Sequence, residues 1–268
     1  MSTVTARPPS IAVIMPAFNE AARIDRTIAT IATYRAGSGS NVRAVFVADD
    51  GSTDETVAVA RAAAAREGMA IEVLSFPHRG KALTVRSAML DVSERSDADY
   101  LMMLDADDEL RIDQLDHVVW SPDPRAVYIG KRDEGSERGS AKPTPVRRLM
   151  SLAMRSASRL LLGLPYRDTQ CGFKLFPRHL AHDLFSQQRS SGWTFDAEIL
   201  FVAHRVSHLP IVEVPVVWTP RGVSHVRPFA AAVSGLALFG TAWDRLHGAY
   251  RPVGHAAADA QRPAIVKS

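Results

Sequence analysis

Two aspartates separated by one residue, Asp105 and Asp107, follow an apolar segment of strand length. Alternate side chains of an extended backbone point to the same face, so this spacing can bring both carboxylates together. Such oxygen ligands suit Mg²⁺ or Mn²⁺, which commonly bridge one or two carboxylates to substrate phosphates. Acidic residues after strands also form turns and cap helices, so the pair alone leaves a metal site and an ordinary turn equally open.

A second acidic pair, Asp49 and Asp50, precedes Gly51-Ser52. The pair is typical of a strand-to-helix turn with a capping serine. A carboxylate at a strand end can also accept hydrogen bonds from a nucleotide base or a ribose hydroxyl. Glu20 could bind ribose in the same way, but taken alone it is better explained as an acidic residue in a first helical turn.

Apolar segments bounded by turn residues predict the strands that position these carboxylates. They are Ile11–Met15, Val42–Ala48, Ile71–Leu74, Tyr100–Leu104, Val127–Ile129 and Ile211–Val217. Helical patterns lie at Ala21–Tyr34, Asp54–Glu67 and Lys81–Val92, with Ser52 or Thr53 as the expected cap of the second helix and Gly68 as its end. This alternation indicates a mainly parallel sheet flanked by helices, with the acidic clusters at one edge, beyond the carboxyl ends of the strands.

The chain after Gly130 is less regular. We expect, in order, a polar loop to Pro145, a basic helix to about Leu162 and a loop from Gly163 to Phe173. Eight basic and three acidic residues lie between Lys131 and Arg159, which favours an anion-binding surface or a solvated helix face.

The composition allows one substantial core, since the chain has 268 residues of which 46% are hydrophobic and 23% are charged. A net charge of +3 does not indicate a nucleic-acid partner. The single cysteine, Cys171, excludes an intrachain disulfide and a cysteine-only zinc site, and it fits a reducing cytosol.

The chain ends predict its location and its outer boundaries. The first ten residues are polar and resemble no signal peptide, so we expect a cytoplasmic protein. The apolar segment Pro228–Trp243 is free of charge but shorter than the ~20 residues that cross a bilayer. It predicts an amphipathic helix that packs on the domain or lies on a membrane surface. The expected divisions are a tail at 1–10, a catalytic domain at 11–220, a helical segment at 221–251 and a disordered tail at 252–268.

Four motifs follow one another in a characteristic order. They are Pro16-Ala17-Phe18-Asn19-Glu20, Val47-Ala48-Asp49-Asp50-Gly51-Ser52-Thr53-Asp54, Gly80-Lys81 and Asp105-Ala106-Asp107. Together they resemble the family two inverting glycosyltransferases, over about Ile11 to Trp218. The resemblance implies the α/β GT-A fold, a nucleotide-sugar donor and Mg²⁺ or Mn²⁺ held by Asp107 with Asp105. The donor-binding residues that it implies are Pro16, Ala17, Asn19, Glu20, Asp49, Asp50, Lys81 and Asp105.

A narrower resemblance lies at Asp168-Thr169-Gln170-Cys171-Gly172-Phe173-Lys174-Leu175-Phe176, which is similar to the signature of dolichyl-phosphate β-glucosyltransferases. Dolichol-phosphate mannose synthases carry a similar loop. The resemblance implies transfer of a hexose, with glucose from UDP-glucose favoured, to polyprenyl phosphate. Asp168 matches the proposed catalytic aspartate of this loop, beside Thr169 and Gln170. Asp196 is a second catalytic candidate, for which a structural role at a helix N-terminus is an equal alternative.

The same resemblance places arginines against the acceptor phosphate, at Arg132, Arg147 and Arg148. Arginine suits this task because its planar fork binds two phosphate oxygens and stays charged. One departure lies at Ser224-His225, where relatives often have Ser-Lys. His225 would be only partly charged at neutral pH, which argues against the phosphate contact that a lysine would make. A membrane surface or a membrane-protein partner is expected beside the two substrates. The alternatives are a soluble transferase with a small polar acceptor and a nucleotide-binding scaffold subunit.

Overall fold

The computed structural model describes residues 8–37, 40–132, 155–219 and 238–254 of the chain. Seven strands form one sheet within these ranges. They are β1 (Ile11–Ala17), β2 (Val42–Asp49), β3 (Glu72–Ser75), β4 (Tyr100–Leu104), β5 (Val127–Arg132), β6 (Phe173–Pro177) and β7 (Ile211–Val216). The helices are α1 (Ile24–Ala36), α2 (Thr56–Arg66), α3 (Lys81–Arg95), α4 (155–162), α5 (Arg178–Ser186), α6 (Phe195–Phe201) and α7 (238–246), with a 3-10 helix at Ile112–His117 and a π-helix at Val202–Val206.

The strand order is β3-β2-β1-β4-β6-β5-β7. Neighbouring strands are parallel except at β6, which runs antiparallel to both β4 and β5. The mainly parallel sheet flanked by helices is therefore confirmed. The reversal at β6 sets Phe173 opposite Leu104. As a result, the loop that precedes β6 lies beside the residues that follow β4.

Both faces of the sheet are covered, which explains why the early strands are continuous apolar runs. Ala12 and Ile14 of β1 face a core that contains side chains from α3, α5 and α6. Val13 and Met15 face the opposite core, formed with α1, α2 and the 3-10 helix. Because both faces are occupied, the carboxyl ends of the strands are the place where a ligand can approach.

All six predicted strands are present, with ends that differ by three residues at most. The expected cap of the second helix is wrong. The Ser52 hydroxyl instead accepts the Asn19 N–H at 3.0 Å, and the Thr53 N–H donates to the Asn19 side chain at 2.9 Å. The first turn of α2 uses the Asp54 carboxylate, which accepts the Thr56 N–H at 3.0 Å. Ser52 and Thr53 thus join two loops rather than cap a helix.

The second half contains more regular structure than predicted. The expected loop from Gly163 ends at Gly172, and β6 begins at Phe173. Helices α5 and α6 follow β6; of these, the sequence indicated only a helix start at Asp196, as one of two alternatives, and that start is present in α6. The helical residues 155–162 agree with the end of the expected basic helix. Its earlier part lies outside the described residues.

The predicted terminal segments are described only in part. Ser10 donates its N–H and its hydroxyl to the Asp99 carboxylate, at 2.8 and 2.7 Å. Helix α7 buries Leu238, whereas Phe239 and Trp243 remain 60% and 64% exposed. In the described portions of the chain, every helix is too short or too polar to cross a bilayer. The rest of the segment 221–251 and residues 1–7 and 255–268 lie outside the described ranges.

Candidate active site

The loops after β1 and β2 meet at the carboxyl edge of the sheet. Pro16 and Ala17 end β1 in register with Ala48 and Asp49 of β2. The Asp50 N–H donates to the Ala17 carbonyl at 2.9 Å. With the Asn19 bonds to the β2–α2 loop, this brings the first two predicted donor-binding motifs side by side.

Asp50 is buried, and its carboxylate binds the loop that follows β3. Its Oδ1 accepts hydrogen bonds from the Arg79 N–H at 2.9 Å and the Thr84 hydroxyl at 2.6 Å. Its Oδ2 accepts the Gly80 N–H at 3.0 Å and lies 2.9 Å from His78 Nδ1. Asp50 therefore anchors the β3–α3 loop to β2. This scaffold role was not foreseen, and a contact of Asp50 with base or ribose stays a prediction.

Asp49 and Glu20 differ in how much they are already engaged. Among the described residues, only the Ser52 N–H donates to the Asp49 side chain, at 3.2 Å. Asp49 thus keeps accepting capacity at the end of β2 for a donor hydroxyl or base N–H. Glu20 instead lies 2.7 Å from Arg23 in an ion pair, and its carbonyl accepts the Ile24 N–H at 3.0 Å. Glu20 thus lies in the turn that leads into α1, whose first turn contains Asp25 instead, and a ribose contact of Glu20 stays a prediction.

His78 and Phe18 were not identified as site residues from the sequence. Their rings stack at the edge beside Asp50, with centroids 4.0 Å apart and planes inclined by 18°. Phe18 is 40% exposed, so its ring is accessible to a ligand at this edge. Phe18 belongs to the motif Pro16-Ala17-Phe18-Asn19-Glu20, but nothing in the sequence pairs it with a histidine sixty residues away.

Lys81, at the start of α3, forms an ion pair with Asp105. Its Nζ lies 2.5 Å from Asp105 Oδ1. Burial opposes the charge of each group, but their mutual attraction outweighs it and keeps the pKa of Asp105 below and the pKa of Lys81 above the usual value. Two residues predicted to contact the donor are thus brought together.

Arg132 and Asp168 also bind each other. Arg132 Nε lies 2.5 Å from Asp168 Oδ2 and Nη2 lies 2.9 Å from Oδ1, which is the two-pronged geometry of a guanidinium and a carboxylate. Burial opposes the charge of Asp168, but the Arg132 hydrogen bonds outweigh it and hold the pKa of Asp168 below its usual range. The Arg132 guanidinium lies 5.8 Å from the ring centre of Trp218. Arg132, predicted to bind phosphate, is therefore already paired with Asp168, the predicted catalytic aspartate.

A third pair lies deeper, between Lys174 on β6 and Asp196 on α6. Lys174 Nζ is 2.7 Å from Asp196 Oδ1, and the two residues are 1% and 7% exposed. Burial raises the pKa of Asp196, although the Lys174 charge opposes that change. Asp196 is thus engaged inside the protein, which favours its structural alternative over direct catalysis. Lys174 was missed, although a lysine within a strand-length apolar segment is a signal of a buried charge.

Asp107, like Asp49, forms no ion pair within the described part of the chain. Its Oδ1 accepts the Glu109 N–H at 3.1 Å. Burial and the negative charge of Asp105 raise the pKa of Asp107 to about 6. Ion pairs balance Asp105, Asp168 and Asp196, whereas the Asp107 carboxylate beside Asp105 lacks one and so suits a hard cation.

The donor set at Asp107 and Asp105 fits Mg²⁺ or Mn²⁺, since both residues offer carboxylate oxygens at one strand end. Within the described ranges, no three His, Cys, Asp or Glu side chains form a complete metal site by themselves. Two carboxylates are nevertheless a sufficient protein contribution where substrate phosphates supply further ligands. The metal assignment therefore stays a proposal that this geometry accommodates.

The remaining predicted residues divide between the loop and the undescribed segment. Gln170 donates from its side chain to the Trp193 carbonyl at 3.0 Å, and Thr169 is partly exposed beside it. Arg147 and Arg148 lie outside the described residues, as does His225. Of the expected phosphate-binding residues, Arg132 is thus the one that the structure places.

Gly172 packs against Asp105 so closely that a side chain would not fit. A Cβ atom at Gly172 would overlap the Asp105 carboxylate, which Lys81 holds in place. We expect Gly172→Ala to push Asp105 away from Lys81, to destabilise the fold by about 1–3 kcal/mol and to weaken metal-supported donor binding. Thermal unfolding and titration with UDP-glucose would measure both effects.

Gly240→Ala is the matched control for this substitution, because a Cβ at Gly240 would meet open space. In helix α7 this change should keep donor binding and stabilise the protein slightly. Equal donor binding by Gly172→Ala and the parent protein would show that Asp105 does not depend on this close packing.

Comparison with known proteins identifies the family. The model of glycosyl transferase family 2 matches residues 12–185. A dolichyl-phosphate beta-glucosyltransferase from Drosophila melanogaster is 33% identical over 234 residues, and one from Homo sapiens is 28% identical over 233 residues. Each alignment covers 82% of this chain and 70% of the relative. The chain spans 65% of the length of a Trichomonas vaginalis relative of the same activity, to which it is 30% identical.

The solved structures show the fold. Glucosyl-3-phosphoglycerate synthase from Mycobacterium tuberculosis, in complex with Mn²⁺, UDP-glucose and phosphoglyceric acid, matches with a TM-score of 0.63. The sequences are 20% identical, and the match covers 90% of this chain and 80% of that chain. The architecture is therefore the expected GT-A fold. Since the family model spans most of the sheet and its loops, the chain belongs to glycosyl transferase family 2.

Proposed function

We propose that this protein transfers glucose from UDP-glucose to a polyprenyl phosphate, with inversion at the anomeric carbon and with a divalent cation. One observation carries the proposal. The loop before β6 packs on Asp105 through Gly172, so the Arg132–Asp168 pair and the Asp105–Asp107 carboxylates share one edge of the sheet. The names of the dolichyl-phosphate relatives support both the sugar and the lipid.

The acceptor phosphate supplies its own nucleophile. A phosphate monoester has a second pKa near ~6, so it is largely dianionic at neutral pH and needs no strong general base. One of its oxygens attacks the anomeric carbon as the bond from that carbon to the diphosphate oxygen breaks, and UDP leaves on the opposite face. The protein's task is alignment and compensation of charge.

The side chains of this edge fit those tasks. Arg132 offers a planar fork for the acceptor phosphate, and Asp168 beside it can orient the acceptor or a sugar hydroxyl. Lys81, which is paired with Asp105, would offer a cation to the donor diphosphate. A divalent cation held by Asp107, with Asp105 beside it, would supply further neutralisation of the departing diphosphate. Because the lipid is anchored in a bilayer, we place the reaction at a membrane surface.

Release of UDP tests the proposal directly. Purified protein is supplied with UDP-glucose, GDP-mannose or UDP-N-acetylglucosamine, with Mg²⁺ or Mn²⁺, and with or without a short polyprenyl phosphate. The dephosphorylated polyprenol is the matched acceptor control, since it removes only the group that Arg132 would bind. With metal present, we expect UDP release and a glucosyl-lipid product only when UDP-glucose is combined with polyprenyl phosphate.

Other outcomes separate the alternatives. Turnover with phosphoglyceric acid but not with the lipid would establish a small phosphorylated acceptor instead. Donor binding without turnover on either acceptor would contradict the proposed acceptor class. Failure to bind any nucleotide sugar would favour a scaffold subunit.

A further inference from the structure

Lys174 lies beneath the site rather than in it. Its side chain is 1% exposed, so it cannot touch a substrate. Its ammonium group nevertheless makes two short contacts, with Asp196 Oδ1 at 2.7 Å and with the Cys171 carbonyl oxygen at 2.5 Å. One buried cation thus connects the start of α6 to the loop that precedes β6.

The Cys171 contact is placed where it can affect both substrate sides. The loop 168–172 begins with Asp168, which holds Arg132, and ends with Gly172, which packs on Asp105. Cys171 itself is fully buried, so its carbonyl has no water to bind in place of Lys174. A shift of this carbonyl would therefore move the loop that carries Asp168.

We propose that Lys174 is a positioning residue, which sets the loop 168–172 for the acceptor phosphate through its bond to the Cys171 carbonyl. The inference rests on the proposed function for its acceptor. The competing explanation is that Lys174 only neutralises Asp196, since a buried carboxylate needs a partner. The two explanations differ in which of the two contacts matters.

A pair of variants separates the two contacts. Asp196→Asn removes the ion pair and keeps the Lys174 bond to Cys171. The asparagine oxygen can still accept a hydrogen bond from the Lys174 ammonium, whose charge is also attracted by the Asp105 and Asp168 carboxylates. Lys174→Met with Asp196→Asn removes the ion pair and that bond together, and it leaves no unpaired buried charge that would unfold the protein. We expect the double variant to lose about 10²-fold in kcat relative to Asp196→Asn, because the acceptor is misplaced. Its KM for polyprenyl phosphate should rise about tenfold, a larger change than the loss of UDP affinity that a shift of Gly172 against Asp105 would cause.

Hydrogen exchange supplies a readout that does not depend on activity. The amides of residues 168–172 should exchange faster in the double variant and at the parent rate in Asp196→Asn. Arg178→Met is the control, because Arg178 also donates to backbone carbonyls, of Ala98 and Ser93, but at the opposite end of β6. It should lower stability without changing the acceptor KM.

The outcomes are distinct. If the double variant matches Asp196→Asn in acceptor KM, kcat and exchange, Lys174 serves only as a counter-charge and the inference fails. If the parent protein transfers glucose to no polyprenyl phosphate, the proposed function fails, and the exchange comparison still decides whether Lys174 sets the loop.

Discussion

Replacement of Asp107 by asparagine is expected to reduce metal-supported glucose transfer by about 10³-fold, because a metal supplies several kcal/mol of charge stabilisation. Asparagine keeps the size of the side chain and removes only its charge. The protein should stay folded, since Asp107 forms no ion pair in the described residues and its Oδ1 bond to Glu109 can be kept by an amide oxygen. The measurement is UDP release over a range of Mn²⁺ concentrations.

Stability gives an independent check on this variant. Burial and Asp105 raise the pKa of Asp107 to about 6, so above that pH the ionised carboxylate lowers the stability of the folded protein relative to the unfolded chain. Without metal, at a pH above 7, Asp107→Asn should therefore have a thermal midpoint at or above that of the parent. Added Mn²⁺ should raise the midpoint of the parent more than that of the variant.

Asp113→Asn is the matched control for the Asp107 variant. Asp113 is a partly exposed aspartate of the 3-10 helix, and its carboxylate binds the side chains of Arg111 and Gln114 rather than Asp105, Asp107 or Lys81. This substitution should leave metal-dependent transfer unchanged. An Asp107→Asn protein that transfers glucose at the parent rate with the parent's Mn²⁺ dependence would contradict the assignment of the metal to this carboxylate.

Much of the fold follows from the sequence because β1 and β4 are buried on both faces, as is most of β2. Continuous apolar runs such as Ile11–Ala17 and Tyr100–Leu104 are readable without any partner. Strand β6 was not readable in the same way. It carries Lys174 in its second position, and it is held by β4 and β5, which are distant in sequence. Its apolar pattern is therefore interrupted by a charge that only the folded core explains.

The sequence predicts that the site lies at the carboxyl edge of the sheet, but it does not predict which side chains form ion pairs there. The rule that ligands collect at the carboxyl ends of parallel strands brings the acidic motifs together. Which cation meets which carboxylate depends on how the loops approach one another. The antiparallel β6 was absent from the prediction, and it brings Asp168 to Arg132. The Arg132 fork is therefore paired with a carboxylate instead of being open to a phosphate. The hydrogen bonds from the β3–α3 loop to Asp50 could not be predicted either, because they too depend on how two loops approach each other.

Asp168→Asn should separate acceptor binding from turnover, with tighter binding and slower transfer. In the structure the Asp168 carboxylate occupies the Arg132 fork, so a phosphate must compete for the same N–H donors and approach against a negative charge. Removal of that charge should lower the dissociation constant of polyprenyl phosphate by about tenfold, a difference of about 1.4 kcal/mol. The kcat should nevertheless fall by about 10²-fold or more, since the group that orients the acceptor is lost.

Arg132→Lys is the partner experiment, because it keeps the positive charge and removes the fork. A lysine supplies a point charge in place of two parallel N–H bonds, so the dissociation constant of the acceptor should rise by about tenfold. Titration of a short polyprenyl phosphate in the absence of donor measures binding for both variants, and single-turnover transfer measures the chemical step. Opposite shifts in affinity would establish that phosphate and Asp168 share Arg132. If Asp168→Asn binds the lipid less tightly than the parent, the carboxylate supports acceptor binding, and Arg132 is not the contested group.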